Sequence, residues 1–123
     1  MTIRDVMEIL GAECLVGEEG LDAPVESGCG SDLMSDVLAF VKDNAVLITG
    51  LINPQVIRTA EMLDIKCIAF SRGKRPSDEI LEMAKEIGIV ILSTRMTTYT
   101  ACGELYLRGL PGTNEKWSAE GGV

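Results

Sequence analysis

Three apolar runs, Ala45-Val46-Leu47-Ile48-Thr49, Lys66-Cys67-Ile68-Ala69-Phe70 and Ile89-Val90-Ile91-Leu92, decide the fold. Each is continuous rather than alternating, as expected of a strand covered on both faces. Helical patterns separate them. Asn53-Pro54 supplies an N-cap with proline at the first helical position, and Val56, Ile57, Ala60 and Leu63 recur on one face. Ser77 opens a second helix with Ile80, Leu81, Ala84 and Ile87 facing inward, closed by Gly88. Leu47, Ala69 and Ile91 stand 22 residues apart (69 − 47 and 91 − 69), room for a strand, a turn, a three-turn helix and a return. The βαβα succession predicts an α/β fold, a two- or three-layer sandwich around a mostly parallel central sheet with right-handed crossovers.

Upstream, Thr2 and Asp5 form a capping-box start, and Ile3, Val6, Met7 and Leu10 recur at helical spacing before Gly11. Glu13-Cys14-Leu15-Val16 reads as a strand, Gly17-Glu18-Glu19-Gly20 as a turn and Pro24-Val25-Glu26-Ser27 as a short extended piece. Ser31 or Asp32 is expected to cap a helix with Leu33, Val37, Leu38 and Val41 inward, ending at Lys42-Asp43-Asn44. Downstream, Thr97 or Thr98 opens a last helix through Cys102 and Leu105. From Pro111 the periodicity lapses. One α/β domain over residues 1–110 and a flexible tail over 111–123 are therefore expected. Trp117 in that tail either rests on the body or anchors a partner chain.

Composition narrows the function. With 46% hydrophobic and 24% charged residues, the 123-residue chain can bury a core without a staple. A formal charge of -8 opposes nucleic acid and anionic membranes. The chain contains no histidine, which removes His-dependent acid/base and nucleophilic chemistry and imidazole metal sites. Cys14, Cys29, Cys67 and Cys102 make no C-x-x-C pair and read as reduced thiols. Acid at Asp5 and Glu8, where a signal peptide would be apolar, and the lack of any spanning apolar run predict a cytoplasmic protein.

Ligands of parallel sheets sit beyond the carboxyl ends of the strands. The candidate anion or nucleotide site is therefore Thr49, Gly50, Ser71, Arg72, Gly73, Lys74, Arg75, Ser93, Thr94, Arg95, Thr97 and Thr98. Four of the eleven basic residues fall in this set, and guanidinium forks match phosphate. The alternative is that these cations pair with Asp78, Glu79 or Glu82. A phosphate-binding P-loop is excluded, because Ile68 stands where the glycine before Gly73-Lys74 is required, and Gly28-x-Gly30 lacks the third glycine of a dinucleotide fingerprint. Cys29 precedes a predicted helix start, a context that lowers a thiol pKa, but no base completes a nucleophile and the preferred reading is a small residue in a tight glycine turn. Glu18-Glu19 and Asp32/Asp36 read as solvated faces, so no metal and no cofactor are expected.

The run from Ile68-Ala69-Phe70-Ser71-Arg72-Gly73 through Lys74-Arg75-Pro76-Ser77 to Gly88, then Ile91-Leu92-Ser93-Thr94, resembles a DRTGG domain. It is also similar to the amino-terminal domain of HPr kinase/phosphorylase, and Val16-Gly17-Glu18-Glu19-Gly20-Leu21-Asp22 fits both. The resemblance spans about residues 2 to 108. It implies a regulatory α/β domain that accompanies CBS pairs, pyrophosphatase or acetyltransferase modules and often dimerises. Ser71-Arg72-Gly73 departs from the family's T-G-G, and Leu51-Ile52 stands where a D-R pair is expected. Nothing in the chain matches the kinase domain of HPr kinase. The expectation is thus a non-catalytic regulatory homodimer sensing a phosphorylated metabolite or adenine nucleotide. The alternative is a protein-protein adapter, docking on a partner enzyme, with no small ligand. An enzyme would need carboxylate, lysine or thiolate chemistry, and no such pair has a recognisable spacing.

Overall fold

The computed structural model describes residues 1–41 and 44–112. The expected turn at Lys42-Asp43 and the stretch 113–123 with Trp117 lie outside the described residues.

Helix α1 (Ile3–Leu10) starts at Thr2, whose hydroxyl accepts from the Asp5 amide at 3.2 Å while the Asp5 carboxylate accepts from the Thr2 amide at 2.8 Å. This reciprocal pair satisfies two amides that a helix start otherwise leaves bare. Gly11 ends the helix at φ 56, where a side chain would be strained. Strand β1 (Glu13–Val16), a 3-10 turn at Glu18–Gly20, strand β2 (Ser27–Gly30) and helix α2 (Met34–Phe40) follow. Three strand-helix units complete the chain: β3 (Ala45–Thr49) with α3 (Pro54–Met62), β4 (Cys67–Phe70) with α4 (Asp78–Ile87), and β5 (Val90–Ser93) with α5 (Thr98–Leu107). Asn53, Ser77 and Thr97 cap the three helices through their side chains.

The sheet runs β1-β5-β4-β3-β2, with β2 through β5 parallel and β1 antiparallel to β5. Leu47 pairs with Ile68 and Ile68 with Ile91. The evenly spaced Leu47, Ala69 and Ile91 therefore do not form one row; Ala69 sits opposite Ile48 and Leu92. Alternation along each strand divides the core. Val46, Ile48, Ala69, Val90 and Leu92 meet Ile3, Val6 and Leu10 of α1 and Ala101 and Leu105 of α5. Leu47, Ile68, Phe70 and Ile91 meet Val37 of α2, Val56, Ile57 and Ala60 of α3, and Ile80 and Ala84 of α4. The result is a three-layer α/β/α sandwich, and it explains why β3, β4 and β5 are apolar at successive positions. Burial of each such Val, Leu, Ile or Phe side chain stabilises the fold by about 1.5–3 kcal/mol, and of each alanine by less.

Two local expectations are corrected. The second strand lies at Ser27–Gly30 rather than Pro24–Ser27, and Pro24 makes only an isolated bridge to Thr2. Cys29 is thus a strand residue and not part of a glycine turn. The glycines are there because α5 and the segment after it press on this strand. A Cβ on Gly30 would collide with the Cys102 sulfur, and one on Gly28 would come within 3.2 Å of Leu110. Second, α2 begins at Met34, not at Ser31 or Asp32. Ser31 accepts from the Leu33 amide at 3.0 Å and Asp32 reaches across to the turn after β3, so neither caps the helix. Its buried face is Met34 and Val37, while Leu33 is 58% and Leu38 43% exposed. Among the described residues no helix is long and apolar enough to cross a membrane.

Candidate functional site at the carboxyl rim of the sheet

Because β3, β4 and β5 are parallel, the turns after them share one rim. β1 runs the other way, so its first residue, Glu13, sits opposite Ser93 on that same rim. The first turns of α3, α4 and α5 begin there too.

Asp32 organises the β2–β3 side of the rim. Its Oδ1 accepts from the Thr49 hydroxyl at 2.9 Å and from the Gly50 amide at 2.8 Å, and Thr49 in turn accepts from the Leu51 amide at 3.1 Å. The Gly50 amide chiefly, then the Thr49 hydroxyl, hold the Asp32 carboxyl below the ordinary carboxylate range, with Arg72 and Lys74 adding smaller attractions. Lys74 Nζ donates to the Gly50 carbonyl at 2.9 Å. The Arg72 guanidinium lies against Gly50, with Nη2 only 3.0 Å from where a Cβ would stand.

The turn after β4 is built on two consecutive left-handed residues, Arg72 at φ 59 and Gly73 at φ 69, closed by the Lys74 amide donating to the Ser71 carbonyl at 3.3 Å. Two such residues in a row are the mark of a primed turn, for which Asn and Gly are the usual occupants. The Arg72 amide donates to the Met96 carbonyl and the Gly73 amide to the Thr94 carbonyl, each at 2.7 Å. The loops after β4 and β5 are therefore stitched together. Ser71 and Thr98 share a hydroxyl-hydroxyl bond of 2.7 Å beneath them.

The predicted set is therefore divided. Thr49, Gly50, Ser71, Arg72, Lys74 and Thr98 are gathered around Asp32 and the Ser71 turn, and the Arg95 side chain passes beside Gly73, its Cγ 4.0 Å from where a Cβ on Gly73 would stand. Ser93 donates to the Lys74 carbonyl at 2.9 Å, and Thr94 donates from a buried position to the Leu10 carbonyl at 2.7 Å, tying the end of α1 to the rim. Thr97 accepts from the Thr100 amide as a helix cap. Arg75 turns outward to Glu13 at 2.7 Å, not to Asp78, Glu79 or Glu82. Among the described residues, neither Arg72 nor Arg95 has an ion pair or a side-chain hydrogen bond. These two forks are the uncommitted cations of the rim.

Sequence reading missed Asp32 as a member. Its signal was a carboxylate two residues past a strand end, which the helix-cap interpretation absorbed. Cys29 is corrected as well: burial, then proximity to Cys102 and Asp36, raises its thiol pKa, so it is no thiolate. Beside it, β2 and α5 enclose an apolar pocket of about 110 Å³ lined by Cys29, Ile48, Cys102, Leu105 and Leu110.

A family model for the DRTGG domain matches residues 5–106. No curated protein matches the chain. Among solved structures, the chain is similar to the CBS and DRTGG domains of the regulatory region of Clostridium perfringens pyrophosphatase, complexed with its activator diadenosine tetraphosphate. The TM-score is 0.70 at 22% identity, and the alignment covers 89% of this chain. It covers 47% of that one, so this chain spans about half the length of its structural neighbour.

Proposed function

The chain belongs to the DRTGG domain family, and from that premise we propose that it is a non-catalytic regulatory module whose carboxyl rim senses a phosphorylated metabolite or an adenine nucleotide. The observation that carries this reading is Arg72. A non-glycine residue at φ 59 costs about 1–2 kcal/mol, and such strain persists where the side chain is used. Here it sets a guanidinium with no hydrogen bond or ion pair of its own among the described residues against Gly50, near Lys74 and the Arg95 chain. Arg72 and Arg95 are free to make paired contacts to phosphate oxygens. Lys74 adds a point charge, and Asp32 fixes the backbone on which these groups rest. That the structural neighbour is a regulatory region crystallised with a nucleotide activator supports the ligand class. That protein's domains form the regulatory region of an enzyme; the module here is proposed to act on a partner enzyme as a homodimer.

Calorimetric titration of ATP, diadenosine tetraphosphate and a sugar phosphate tests the site. The wild type is expected to bind at least one. Arg72→Gly, which relieves the left-handed strain, is expected to fold at least as well yet bind about ten- to a hundredfold more weakly, the loss of one charge-assisted contact. No heat from any of the three ligands, or equal affinity in both proteins, would remove the rim as the binding place and leave the adapter reading.

A further inference from the structure

Helix α5 is apolar on both faces. Ala101 and Leu105 are buried against the sheet, while Tyr99 is 88%, Tyr106 66% and Leu107 77% exposed on the other side. A helix of this kind is ordinarily covered on both sides. The exposed residues border an open groove of about 610 Å³ that also takes in Cys102 and Gly103. At the midpoint of Tyr99 and Leu107 stands Gly103, above which a Cβ would meet nothing within 4 Å.

We propose that this face is the contact surface between two copies of the chain, packed as an antiparallel α5 pair with its twofold axis at Gly103. The inference rests on the homodimer reading above and gives it a place. In an isologous pair, a residue as far before the axis as its partner is after it meets that partner. Tyr99 of one copy then meets Leu107 of the other, twice over, and Gly103 lets the helices approach. The three exposed side chains offer about 400 Å² per copy at the size of buried aromatics. That is about half of the roughly 800 Å² per partner in a standard interface, a large share for one helix. Charge favours the same face. Each copy carries -8, yet Thr98–Leu107 contains a single charged residue, Glu104. Two such chains bring one carboxylate each from this helix to the contact, and antiparallel helices oppose their dipoles favourably. Helix α5 also begins at Thr98, bonded to Ser71 on the rim, so the interface and the anion site share one element.

Light scattering on the full chain is expected to give twice 13.2 kDa at tens of micromolar. Leu107→Asp, a change at an exposed position, is expected to give half that mass with an unchanged circular dichroism spectrum. In a Cys102→Ser background, Gly103→Cys should form covalent dimer under mild oxidation at least tenfold more readily than Glu86→Cys on α4. A dimer that survives Leu107→Asp, with no Gly103→Cys preference, would overturn this face but not the homodimer. A wild-type mass of one chain would overturn both, as would a monomer that dimerises only once residues 113–123 are removed, which would assign the face to the chain's own tail.

Discussion

Strands β2 and β3 lie side by side in parallel register, with Gly28 opposite Val46 and Gly30 opposite Ile48, yet they are made in opposite ways. Every residue of β3 is buried by side chains that project from it into two helix layers. β2 contributes almost no side chain; it is held by its backbone, by Cys29 and by the groups that close over it, Cys102 and Leu110. Its outer edge receives the segment after α5, where the Gly28 amide donates to the Pro111 carbonyl at 2.9 Å. A strand can thus be defined by what projects from it or by what presses on it. The first kind tolerates no loss of volume, and the second tolerates no gain.

That contrast is most sharply broken by truncation. Leu47→Ala should lose about 2–5 kcal/mol in urea unfolding, whereas Cys29→Ala on the neighbouring strand should lose less than about 1 kcal/mol; equal losses would abolish the distinction. Enlargement probes the converse. Gly30→Ala is expected to cost about 1–3 kcal/mol by overpacking, and Gly30→Ala combined with Cys102→Gly should regain most of it. A double-mutant cycle with no coupling would mean that the sulfur is not what holds Gly30 small. On the rim the bonds are polar and the effects smaller. Thr94→Val leaves the Leu10 carbonyl without its hydroxyl donor and should lower stability by about 1–2 kcal/mol, read as a shifted urea midpoint at constant slope. Asp32 gives the smallest effect. Its folded-state pKa is depressed, so the stability it lends is complete above the unfolded value of about 4. That contribution is lost as pH falls through the lower folded value. The gap between wild type and Asp32→Asn should therefore be constant near neutrality and close only below about pH 4; a gap that closes above pH 6 would point to another group.

The same contrast explains what could be read from the sequence. Strands β3, β4 and β5 and helices α1, α3 and α4 were legible because their own residues state their environment: apolar runs for two-sided burial, and Thr2, Asn53-Pro54 and Ser77 for helix starts. β2 was not, since the side chains that require its glycines, Cys102 of α5 and Leu110 just after it, come more than 70 residues later. The buried face of α2 was misplaced for a related reason. Ser31 and Asp32 have the chemistry of helix caps, but Asp32 bonds Thr49 and Gly50, a tertiary contact that no local pattern encodes. The rim was found through topology, because parallel strands bring their following turns together. Which cations remain uncommitted was not legible. Arg75 finds Glu13, 62 residues away, and Arg72 is held out by a backbone conformation that its residue type does not announce.

The order β1-β5-β4-β3-β2 gives the sheet an uneven history of assembly. Each of β3, β4 and β5 can add to a strand made shortly before it, the first pairing being Ser27 with Ala45. β1, made before the other four strands of the sheet, pairs with the last of them, Glu13 with Ser93. Until the final third of the chain is available, α1 and β1 have no sheet edge to join. Long-range pairings of this kind are slow to form, so amide protection in β1 should appear last in pulsed hydrogen exchange during refolding. Closure of the sheet between its first and last strands in chain order is then the step that completes it.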